Sequence, residues 1–151
     1  GRPMFLRRPD SHLGLANFMR SHLYASLATL KIGLDILLKE EDVKIDSITG
    51  HGGLFKTKGV GQSILAAAMN APISVMETAG EGGAWGMALL AAYMLSKKDG
   101  QSLGDYLDSR VFAERKSETM EPDLADVAGF ETYTKQYQAC LAAEKAAVQA
   151  F

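Results

Sequence analysis

The stretch ITGHGGLFKTKGVGQSILAAAMN, residues 48–70, limits the fold more than any other part of the chain. A short apolar run with Ile45 and Ile48 stops at Gly50, a loop rich in glycine and lysine follows, and the chain then enters an Ala-rich segment of helical composition. This order predicts a buried strand over 44–50, a loop over 50–58 and a helix over 59–70. A second strand is expected over 71–77 (APISVME), its start marked by Pro72. Strand, loop, helix and strand in that order make a parallel pair, and so an α/β protein.

The flanking segments fit the same class. Leu23, Leu27, Leu30, Leu34, Leu37 and Leu38 recur at three-to-four spacing and predict a long helix over 15–41. After a glycine turn at Gly80, Gly82 and Gly83, residues 84–97 read as a helix of small residues ended by Asp99-Gly100. A short helix is expected over 103–108. A polar surface connection containing Arg115, Lys116, Glu118 and Pro122 follows it. A closing helix over 130–151 would present Tyr133, Tyr137, Leu141 and Ala142 on one face. With 4–7 as a third strand at most, the sheet reads as incomplete against the usual four to six strands or so.

Composition excludes several functions. A net charge of -2 argues against nucleic acid as a partner, because phosphate neutralisation needs a basic face. No run approaches the roughly 18 apolar residues of a membrane span, and no signal peptide is evident. The single Cys140 fits a reducing compartment, so a cytoplasmic location is expected.

In an open α/β sheet, ligands bind beyond the carboxyl ends of the strands, where a glycine pair lets the backbone approach a phosphate or ribose. Gly52 and Gly53 sit at that point, and Lys56 or Lys58 would add charge. The spacing is neither G-x-G-x-x-G nor G-x-x-x-x-G-K-[ST], so Rossmann and Walker A sites are excluded and a plain glycine turn remains an equal alternative. His51 reads as a loop histidine, because no second ligand lies at metal spacing. Trp85 reads as core or interdomain contact more readily than as an adenine platform. Glu77 and Glu81 are candidates for ribose or Mg²⁺, against a solvated turn or a cap. Arg7, Arg8, His12, Arg20 and His22 form a basic edge that is either solvated or turned to another domain.

As an ordered set, Gly52-Gly53-Leu54, Gln62-Ser63-Ile64-Leu65-Ala66, Ala71-Pro72-Ile73 and Gly83-Ala84-Trp85-Gly86-Met87-Ala88 resembles the C-terminal domain of the FGGY carbohydrate kinases. The entry helix with Leu23-Tyr24-Ala25-Ser26-Leu27 and the closing helix with Tyr133 and Tyr137 are similar to the family's as well. The resemblance implies a ribonuclease H-like, actin-like ATPase fold, with residues 1–151 as the nucleotide-binding C-terminal part and the N-terminal sugar-binding domain absent. It implies ATP with Mg²⁺ as cofactors and a ketose, in particular a pentulose, as substrate; Gly-Gly-Leu looks ribulokinase- or xylulokinase-like. Nucleotide contacts transfer to Gly52, Gly53, Leu54 and Thr57. The base and the D-x-G-T phosphate loop of the family have no counterpart in these residues, so no catalytic residue is assigned and the chain alone should be inactive. The alternative is a non-catalytic interaction domain that keeps the actin-like half-fold. Apolar surface left uncovered predicts self-association or a dimer.

Overall fold

The computed structural model describes residues 3–45, 47–77, 80, 82–113 and 117–150. The expectations that involve Gly1, Glu81, Arg115 and Lys116 lie outside the described residues. The elements are α1 (Leu15–Lys39), β1 (Ile48–Gly50), α2 (Val60–Met69), β2 (Ile73–Met76), α3 (Gly82–Ser96), α4 (Leu103–Tyr106), β3 (Ser117–Met120) and α5 (Leu124–Gln149). They fall into two compact units: Gly1–Asp46, Ile64–Ala71 and Pro122–Phe151 form one, and Ser47–Ser63 with Pro72–Glu121 the other.

The first unit is helical. α1 buries Tyr24, Leu27, Ala28 and Lys31, and α5 buries Val127, Phe130 and Thr134. Phe130 is fully enclosed, and the Tyr24 ring lies 4.7 Å from it and 5.2 Å, edge-on, from Tyr133. Such aromatic contacts fix helix rotation as well as adding apolar burial. The buried face of α1 therefore differs from the predicted leucine stripe. Of those six leucines only Leu27 is buried, while Leu30 is 51% exposed, because Tyr24 rather than Leu23 faces Phe130. The face expected of α5 is corrected likewise: Tyr133 and Tyr137 flank the buried line and Leu141 and Ala142 are exposed. α5 also starts at Leu124, earlier than expected, because Asp123 caps it. The Asp123 carboxylate accepts from the backbone N–H groups of Ala125 (2.8 Å) and Asp126 (3.1 Å), which satisfies donors the first turn leaves open.

The second unit holds a sheet in the order β1-β2-β3. β1 and β2 are parallel, with Ile48 opposite Ile73, as the strand-loop-helix-strand order requires. β3 runs antiparallel to β2, Ile73 facing Met120 and Met76 facing Ser117, so the sheet is mixed. This corrects two expectations. Residues 4–7 form no strand, and the third described strand lies in the stretch read as surface connection. SETM shows no apolar alternation, because β3 pairs through its backbone and leaves three of its four side chains exposed. β1 and β2 are also shorter than predicted, three and four residues long. Gln62, on the first turn of α2, ties the sheet together: its amide donates to the Ile73 carbonyl (2.7 Å) and to the Glu118 carbonyl (2.8 Å). α3 runs two residues further at its start than predicted, and α4 continues into a π-helical turn, Leu107–Val111.

Candidate functional site

Behind β1 the chain turns on glycines that the geometry demands. Gly52 has φ 107° and ψ -175°, a conformation that side chains with a Cβ rarely reach. The N–H of Phe55 donates to the Gly52 carbonyl (3.1 Å) and that of Lys56 to the Gly53 carbonyl (3.2 Å), closing a single 3₁₀ turn over Gly53–Phe55. That turn folds back on its surroundings at two points. The Phe55 ring covers Gly50, where an added Cβ would lie 2.6 Å from a ring carbon. Leu54 covers Gly61, its carbonyl filling the space a Cβ would need. Gly53, by contrast, has open space where its Cβ would be.

The glycine turn before α3 lies against this loop. A Cβ on Gly80 would sit 3.2 Å from Cγ of Lys56, and one on Gly82 would sit 3.2 Å from Nδ1 of His51. His51 therefore packs on the start of α3, in keeping with its reading as a loop residue. Trp85 pairs with Phe112 at 5.9 Å, a packing contact. Gly80 and the start of α3 thus lie against the turn that follows β1, at the end of the sheet where open α/β sheets bind ligands.

A cavity of about 360 Å³ opens at the end of β2. Phe55, Thr57, Lys58, Gln62, Glu77 and Glu118 are among the residues that line it. The Lys58 ammonium lies 3.0 Å from the Glu118 carboxylate. Of the residues predicted to hold nucleotide, Thr57 lines this cavity; Gly52, Gly53 and Leu54 form the adjoining turn and do not line it. Ser117 and Glu118 were invisible in the sequence as site residues, since they reach the cavity from β3 through strand pairing and not through any local motif. Of the basic residues before and along α1, Arg7 bonds Ser11 (3.0 Å) and Arg8 bonds Asp10 (2.7 Å) within the local chain, while Arg20 on α1 lies 4.0 Å from Asp126 on α5.

Among the described residues no three His, Cys, Asp or Glu side chains gather as metal ligands, so these residues do not by themselves supply a cage for Mg²⁺. Among them, too, no helix is long and apolar enough to cross a membrane.

The sheet defines the class: an α/β chain with a small mixed three-stranded sheet and a glycine-bearing turn after β1. The pattern described as the FGGY family of carbohydrate kinases, C-terminal domain, matches residues 1–95, and the chain belongs to that family. The matched stretch contains both glycine loops and ends within α3, leaving β3 and α5 beyond it. No curated protein and no solved structure matches the chain.

Proposed function

We propose that this chain is the nucleotide-binding part of an ATP-dependent kinase for a ketose, a pentulose of the ribulose or xylulose type, acting in the cytoplasm. The observation that carries this reading is the glycine turn after β1, with Gly80 and the start of α3 against it, at the carboxyl end of a parallel strand pair and inside the stretch that matches the family. Gly52, Gly53 and Leu54 offer a backbone surface free of Cβ bulk at its first two positions, and Thr57 extends it into the cavity. ATP would bind as its Mg²⁺ complex, with the metal held chiefly through phosphate oxygens and residues of a second, sugar-binding domain, as Mg²⁺ prefers. Phosphoryl transfer needs an aligned acceptor, a base and charge stabilisation, and these residues contain no D-x-G-T loop. The chain alone then binds nucleotide without turning it over.

The test is a pair of measurements on the purified chain. Calorimetry should show saturable ATP binding, and Gly53→Val, which fills open space at the turn, should weaken it by at least about tenfold, the scale of one lost positioned contact, with an unchanged melting temperature. ATP turnover that depends on ribulose or xylulose should be absent. Undetectable nucleotide binding by the folded chain would instead favour the second reading, a non-catalytic interaction domain.

A further inference from the structure

The charges around the cavity do not suit a phosphate. Among the described residues that line it, Lys58 is the cation, and Glu77 and Glu118 are the carboxylates. Lys58 is already matched, its Nζ 3.0 Å from Oε2 of Glu118. The placement of Glu118 is built into the sheet. Its backbone is paired in register with Val75 on β2, and its carbonyl accepts from the buried Gln62 amide at 2.8 Å. The other described lining residues are neutral, among them the Phe55 ring, the hydroxyls of Thr57 and Ser117, and the apolar side chains of Val75 and Met76.

We propose that Glu118 is a specificity-determining residue: by neutralising Lys58 beside a second lining carboxylate, Glu77, it reserves the cavity for the uncharged nucleoside end of the ligand and turns polyphosphate away. This inference rests on the nucleotide reading of the same site and deepens it. A like charge brought beside these solvent-exposed carboxylates is disfavoured modestly, whereas a ribose or a base edge presents hydroxyls and amines that carboxylates accept. The phosphates are left to the backbone N–H groups of the adjoining turn at Gly52 and Gly53. Glu118 lies beyond the stretch that matches the family, so this control belongs to the part of the chain contributed by β3.

The experiment titrates the chain with two probes that separate charge from shape, adenosine and inorganic tripolyphosphate, followed by backbone amide NMR shifts. Glu118→Gln keeps the size of the side chain and the carbonyl that Gln62 holds. It should strengthen tripolyphosphate binding about two- to fivefold, the range of an exposed ion pair, and leave adenosine affinity unchanged. In Glu118→Gln combined with Lys58→Met the gain should disappear, because the freed ammonium is its source. Equal changes for both probes, no gain for tripolyphosphate, or a gain that survives the loss of Lys58 would each overturn the role of Glu118. If no variant binds adenosine while the tripolyphosphate gain persists, the charge screen is supported and the nucleoside reading is overturned.

Discussion

Gly50 and Phe55 are complementary, and that complementarity sets the path of the loop. The last residue of β1 has no side chain because the Phe55 ring occupies the place, with ring carbons 2.6 and 2.8 Å from where a Cβ would be. Gly61 plays the same part for Leu54, and there the obstacle is a backbone carbonyl that cannot rotate aside. The glycine-rich appearance of this segment therefore has two separate causes. Gly52 is required by its own backbone angle, whereas Gly50 and Gly61 are required by what lies over them. Gly50→Ala should destabilise the chain by about 1–3 kcal/mol through overpacking, measured by urea denaturation. Adding Phe55→Ala should cancel much of that loss, since the clash then has no partner. Strictly additive effects in this double-mutant cycle would show that the ring does not dictate the glycine.

Among the elements, α1 carries a charge arrangement that a helical wheel does not display. Lys31 is buried at 8% exposure, and its ammonium reaches the Asp35 carboxylate at 2.6 Å, while Lys39 approaches the other oxygen at 3.0 Å. Burial by itself pushes the Asp35 carboxyl up, but the hydrogen bonds from Lys31 and Lys39 outweigh it and hold the group below its ordinary value of 3.8. A carboxyl depressed in the folded state stabilises fully above its unfolded value, and the contribution is lost as pH falls below about 3.8 toward the folded value. Asp35→Asn should thus cost about 1–3 kcal/mol at neutral pH, by leaving a buried ammonium poorly satisfied. It should also flatten the acid limb of the stability profile, read from urea midpoints across pH; an unchanged acid limb would exclude the triad as a stabilising unit. The existence of α1, α2, α3 and α5 was legible because their apolar or small residues run long enough to show a helix. The buried faces of α1 and α5 were not, because Tyr24, Phe130 and Thr134 are selected by a partner helix, which no single-helix pattern contains. β3 was missed because a polar edge strand owes its existence to backbone pairing with β2. The lining of the cavity divided along the same line: Thr57, Lys58 and Glu77 stand out in the sequence beside glycine turns, whereas Ser117 and Glu118 are delivered by that strand and do not.

For the molecule as a whole, α3 carries the apolar surface from which association is predicted. Its fifteen residues, GGAWGMALLAAYMLS, contain no charged side chain, yet none of them is buried. Met87, Leu90, Met94 and Leu95 lie exposed along it, Met94 at 76% and Leu95 at 89%. Contiguous apolar surface of this kind is rarely left in water by soluble proteins. In the absence of a covering partner the isolated chain should bury it by associating with itself. Sedimentation velocity over a concentration series should show the weight-average mass rising above 16.2 kDa. Met94→Lys with Leu95→Lys should restore the monomer, because two ammonium groups on one stripe would have to be desolvated on pairing. The substitutions point into solvent, so helix content and melting temperature should hold within the small range of surface changes, about 0.5 kcal/mol. A wild-type chain that stays monomeric throughout would show that this stripe does not drive association. If association persists in the double variant, the contact lies elsewhere, and the exposed leucines Leu15 and Leu124 become the surfaces to change next.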